Sequence, residues 1–174
     1  MAKNRIQTLK PPCGYAVSGI DEIYLLDKED FKGLRFAGGK NYDSCNVDAI
    51  IRTSEFVPLF TGNSSKYNAP QTGKIYTHTV VSFIPELSAE LSEQLNLSIK
   101  RRYAVLLKFA DGSYYFFGYD GGAVVSYESM TEGGIGTIVT ISCRSIYPLF
   151  AVSSYETDKI ITYNPDFISG LICV

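Results

Sequence analysis

The chain has 174 residues, 45% of them apolar and 20% charged, with a formal net charge of −2 and a pI near 5.4. That length carries one sizeable core and argues against two full domains, and the composition is that of a packed fold rather than a disordered chain. The acidic balance supplies no global positive field to hold a polyanion, which disfavours nucleic-acid binding through charge.

Residues 1–14, within "MAKNRIQTLKPPCGYAV", read as an N-terminal arm. Their apolar runs are too short for a signal peptide, and nothing later approaches the roughly 18 apolar residues needed to span a bilayer, so no membrane role and a cytoplasmic site of synthesis are expected. A strand is predicted at Ile20–Leu26, and "DKED" at 27–30 reads as a solvated turn because it lacks the Asp-x-Asp-x-Asp-Gly order of a calcium loop. "GLRFAGGKN" at 33–41 fails as a phosphate-binding loop: the position needing glycine is Leu34 and the position needing Ser or Thr is Asn41. A turn cluster at 36–44 leads to strands predicted at Val47–Thr53 and Glu55–Phe60.

"TGNSSKYNAPQTGK", residues 61–74, is a run of turn formers longer than an ordinary hairpin loop and is expected to be an exposed connector. Deleting Asn63 to Gln71 is therefore expected to leave the fold intact. "IYTHTVVSFI" at 75–84 is β-branched and alternating, and predicts a long strand. In "PELSAELSEQLNLSIK", Leu87, Leu91, Leu95 and Ile99 recur every four residues, which predicts one amphipathic helix at about residues 85–100. Pro85 would sit in its first turn and Lys100, Arg101 and Arg102 at its electronegative end.

The stretch "RYAVLLKFADGSYYFFGYDGGAVVSYES" then predicts a meander. A two-residue turn at Asp111-Gly112 would place Phe109 opposite Tyr114 and Leu107 opposite Phe116; a second turn at Asp120-Gly121 would place Phe116 opposite Val125. Both faces then carry apolar residues, so the aromatics of "GSYYFFGYDGG" read as packing residues rather than a ligand platform, with Tyr115 and Tyr119 the candidates for exposure. "MTEGGIG" at 130–136 is a turn and Thr137–Cys143 a strand. The tail at 157–174 ends in Leu171, Ile172, Cys173 and Val174, an apolar terminus that either tucks into its own fold or docks on a partner.

Chemistry-bearing patterns are sparse. His78 is the only histidine, which favours a structural role and excludes a His-rich metal site. The four cysteines, Cys13, Cys45, Cys143 and Cys173, contain no CxxC pair and read as reduced, partly buried thiols. No G-x-S-x-G elbow occurs, so neither catalytic residues, a metal nor a cofactor is expected, and the chain is not read as an enzyme.

The expected architecture is mainly β, an antiparallel sandwich or barrel with one flanking helix, over residues 15–156. The helix introduced by "VSFIPELSAEL", the "DGSYYFFGYDGG" meander, the closing "TIVTIS" strand and the polar loop at 61–74 together resemble the tail-tube family of tailed bacteriophages, in the form carried by phages and prophages of gut Bacteroidetes. The resemblance covers roughly residues 15–152. It implies a virion structural protein, assembled in the bacterial cytoplasm, that forms a tail tube or portal-proximal connector ring. It further implies a homo-oligomeric ring, a hexamer or dodecamer, contacts with adjacent tail, portal or ring proteins, and DNA only as non-specific cargo in the lumen, with which the chain's acidic balance is compatible. On this reading the loop at 61–74 reaches a neighbour and the two chain ends are assembly arms, so Asn63, Lys66, Tyr67, Gln71, Leu171, Ile172 and Val174 are the expected interface residues. A different class of function also fits the residues: a monomeric β-sandwich module whose exposed tyrosines grip a carbohydrate or peptide.

Overall fold

A computed structural model describes residues 19–39, 44–59 and 65–153. Long alternating stretches become long strands: β1 (Ile20–Asp27), β2 (Phe31–Phe36), β3 (Asn46–Arg52), β4 (Val57–Leu59), β5 (Lys66–Asn68), β6 (Gln71–Thr72) and β7 (Ile75–Ile84) precede the helix α1 (Ala89–Ser98). After it come β8 (Arg102–Phe109), β9 (Tyr114–Phe117), β10 (Ala123–Met130), β11 (Gly136–Ser145) and β12 (Phe150–Val152). The protein is mainly β with one helix, as the sequence pattern requires.

Strand β8 organises the rest. Along one edge it pairs with β1, from Ile20↔Phe109 to Asp27↔Tyr103. Its other edge is shared in succession by β9, through Val105↔Phe117 to Lys108↔Tyr114, and by β10, through Ala123↔Tyr103. From β9 the sheet continues through β12 and β3 to β2; from β10 it continues through β11 and β7 to β5. All these pairings are antiparallel except β12 with β3.

The two wings curl onto opposite faces of the β1–β8 ribbon, because successive residues of a strand point to opposite sides. One face gathers Ile23, Leu25, Val105, Leu107 and Phe117 with Val80, Val139 and Ile141 of the β10–β11–β7 wing and Leu95 of α1. The other gathers Leu26, Ala104, Leu106, Tyr114 and Phe116 with Phe31, Val47, Ile50 and Phe150 of the β2–β3–β12 wing. The aromatics of β9 therefore serve two cores at once. Phe116 stacks on Phe31 at 5.4 Å and Phe117 on His78 at 5.3 Å. Both faces are covered from within the chain.

Four expectations are corrected. The β8–β9 connection has three residues, 110–112, not two: Phe109 N–H donates to the Ser113 carbonyl at 2.8 Å, and the Asp111 carboxylate accepts from Ser113 N–H at 2.9 Å. Gly112, at φ 84, supplies the left-handed residue that ends such a loop. Every cross-strand partner is thereby displaced by one, so Phe116 faces Leu106 rather than Leu107, and Lys108 faces Tyr114 rather than Tyr115.

Second, Asp120-Gly121 does not reverse the chain. Strands β9 and β10 are both antiparallel to β8 on the same edge, so they run in one direction, and residues 118–122 step between them. Gly118 makes this step, at φ 93, where an added Cβ would stand 2.9 Å from the Tyr103 carbonyl oxygen.

Third, the helix is shorter than predicted at both ends. Ser88 caps it, its Oγ accepting from Leu91 N–H at 3.1 Å, which leaves Pro85 and an exposed Leu87 before the first turn; Ile99 is the C-cap. Fourth, the segment from Lys66 to Thr72 is not a free loop. Strands β5 and β6 both pair with β7, through Tyr67↔Val80 and Gln71↔Tyr76. Turn-rich composition conceals these strands because each is only two or three residues long.

Candidate interaction surface

Strand β4 pairs only with β1 among the described strands, through Ile23↔Leu59 to Leu25↔Val57. Between β1–β4 and α1 lies a groove of about 500 Å³. The floor and walls are apolar: Leu25, Val57, Pro58 and Leu59 on the strand side, and Leu91, Leu95 and Leu97 on the helix. Val57 and Leu97 are 64% and 59% exposed, an unfavourable position for large apolar side chains on a monomer's rim. The helix presents Leu97 because its apolar spacing turns Leu91 and Leu95 inward onto the core that holds Val125 and Tyr127, while Leu97 lies on the adjacent flank. Tyr127 anchors α1 by donating its hydroxyl hydrogen to Asn96 Oδ1 at 2.7 Å.

Acidic residues mark one end of the groove. Asp27, Asp30 and Glu55 line it against Arg101 alone. Arg101 is held by Asp27 at 2.6 Å, while buried Arg52 reaches Glu55 at 3.2 Å from the core side. Asp30 accepts from the hydroxyls of Thr53 and Ser54 at 3.0 and 2.8 Å, and no lysine or arginine pairs with it among the described residues.

The residues expected at an interface fall in different places. Lys66 is exposed on β5 and lines a shallow hollow with Val81, Phe83 and Met130. Gln71 is exposed on β6. Tyr67 instead turns inward: it is half-buried, packs on the first core, and its hydroxyl lies 2.7 Å from His78 Nδ1. Burial raises the Tyr67 phenol well above its ordinary value. Asn63, Leu171, Ile172 and Val174 lie outside the described residues. The groove itself escaped the sequence reading, because its two walls come from segments more than thirty positions apart; the exposed Leu97, off the four-residue repeat of the helix, was the one local sign.

His78 and Cys143 are both engaged in packing. His78 is fully buried, with Nδ1 on Tyr67 and Nε2 on the Tyr147 carbonyl at 3.0 Å, and desolvation holds its pKa below the ordinary value. Burial pushes the Cys143 thiol up to about 11, away from the thiolate form that reacts. Tyr24 donates to Glu22, which also takes Lys108 at 3.2 Å, a surface network across β1 and β8. Among the described residues no three His, Cys, Asp or Glu side chains gather as a metal site, and no helix is long and apolar enough to cross a membrane.

The architecture defines a mainly β protein with one helix, and its described residues form an apolar groove between β4 and α1. Comparison with protein-family models, curated proteins and solved structures finds no match for this chain.

Proposed function

We propose that this protein is a virion structural subunit that self-assembles into a ring, as a tail-tube or portal-proximal connector component through which DNA passes. The observation that carries the reading is the β4–α1 groove. Monomers ordinarily protect a sheet edge with short length, charge, proline, a bulge or a covering element; β4 is short and carries Pro58, yet exposed Val57 and Leu97 still flank an apolar opening. A surface of that kind is stabilised by burial between subunits, and a head-to-tail contact that closes on itself makes a ring. The chain's −2 net charge also suits a lumen that lets DNA slide, since a basic lining would gain affinity by counterion release and retard it.

Light scattering and negative-stain microscopy on the full chain test the reading. Rings or tubes, alone or with neighbouring virion proteins, are expected. A persistent monomer at high concentration under both conditions overturns it and leaves the ligand-binding module as the better account.

A further inference from the structure

We propose that the β4–α1 groove receives the N-terminal segment, residues 1–18, of a second copy of this chain. The inference rests on the assembly reading and names the contact that would join the copies. Three observations select this occupant.

Charge comes first. Residues 1–18 carry Lys3, Arg5 and Lys10 and no Asp or Glu, whereas residues 154–174 carry Glu156, Asp158 and Asp166 against Lys159 alone. The groove's lining has Asp27, Asp30 and Glu55 against Arg101; Arg101 pairs with Asp27 and Arg52 with Glu55, which leaves Asp30 the carboxylate without a cationic partner among the described residues. The basic segment complements that end; the acidic one is repelled by it.

Apolar character comes second. Ile6 and Leu9 lie between the cations, which suits a groove whose strand and helix walls are leucine, valine and proline. Pro58 brings no N–H to the β4 edge, so side-chain burial, rather than a long main-chain ladder, must carry the contact.

Direction comes third. The Gly19 carbonyl accepts from Ala110 N–H at 3.0 Å, so the chain enters β1 at the β8–β9 hairpin end. The acidic end of the groove lies at the other end of β1, about 23 Å away for seven strand residues. A segment of eighteen residues spans at most about 60 Å extended, ample reach to a neighbour, whereas its own groove requires a full reversal. Delivery to the next copy gives a head-to-tail contact.

The chain contains no tryptophan, so Leu97→Trp places a single reporter on the rim at a site that tolerates size. The acceptor is the full chain with Leu97→Trp and its own segment reversed by Lys3→Glu, Arg5→Glu and Lys10→Glu. The donors are full chains without tryptophan, one with the native segment and one with the same reversal. The native donor is expected to give a saturable blue shift of the acceptor's emission that weakens as salt rises, and the reversed donor none. Equal shifts from both donors, or none from either, overturn the proposal. So does a blue shift in Leu97→Trp with the native segment that persists unchanged on dilution, because the segment then lies on its own chain. Val57→Trp serves as reporter if circular dichroism shows the Leu97 variant unfolded. Light scattering on the same mixtures separates the two readings: oligomers without a shift sink the groove contact alone, and monomers throughout sink the assembly reading with it.

Discussion

The hydroxyl of Tyr67 donates to Nδ1 of His78 at 2.7 Å, and this bond ties the short β5 strand to the middle of β7. The donor assignment follows from the opposite side of the ring, where Nε2 meets the Tyr147 carbonyl at 3.0 Å. A carbonyl only accepts, so Nε2 carries the proton and Nδ1 is the acceptor. The ring is neutral, and Phe117 stacks on it at 5.3 Å.

Stability should therefore fall in acid through this residue. Desolvation lowers the folded pKa of His78 below its unfolded value of 6.5. The stabilisation is complete above about pH 6.5 and is lost as pH falls through the lower folded value, because the unfolded state takes up the proton first. Chemical denaturation of the parent and His78→Gln at pH 7.5 and 5.0 checks this: the drop on acidification should be smaller in the variant. An unchanged drop would exclude His78 as its source.

Tyr67→Phe keeps the ring and removes the donor, leaving Nδ1 buried without it. A loss of about 1–2 kcal/mol is expected at pH 7.5 by urea titration. Deleting Asn63 to Gln71 should also lower the melting temperature, since it removes Tyr67, all of β5 and half of β6. This reverses the expectation drawn from composition alone. Lys66→Glu, on an exposed side chain of the same strand, should leave the melting temperature unchanged within about 0.5 kcal/mol equivalent.

Gly118→Ala should be much costlier than Gly112→Ala. Both glycines have positive φ, 93 and 84, but an added Cβ at 118 meets the Tyr103 carbonyl oxygen at 2.9 Å, while at 112 it meets nothing within 4 Å. The second substitution should cost about 1–2 kcal/mol in backbone strain and the first several kcal/mol, with β10 displaced from β8. Comparable urea midpoints would contradict the step described between β9 and β10.

Phe116→Ala and Phe117→Ala should each cost about 3–5 kcal/mol, because both rings are fully buried in separate cores. Tyr115→Ala should cost less: that ring is half-buried and rests edge-on against Phe109 at 5.0 Å. Equilibrium unfolding of the three variants orders them. A Tyr115 variant as damaged as the other two would place its ring in a core.

Periodicity alone determined that this chain is mainly β with one helix, and it located β7 to the residue, since a period of two along ten positions has no competing reading. Pairing through two tight turns put Phe116 and Phe117 in the right packing role, though with the wrong cross-strand partners. Register was beyond periodicity: "ADGS" accommodates a two- or a three-residue loop, and the choice turned on Gly112 taking the left-handed conformation and Asp111 accepting from Ser113. The direction of β10 was likewise decided in three dimensions, where β8 offers an edge long enough for two strands in succession. Tyr67 stood in a polar run and became a core contact because a buried histidine lay diagonally across on β7 with an acceptor to satisfy. The groove belongs wholly to the tertiary structure, since only folding brings Val57 of β4 and Leu97 of α1 to the two sides of one opening.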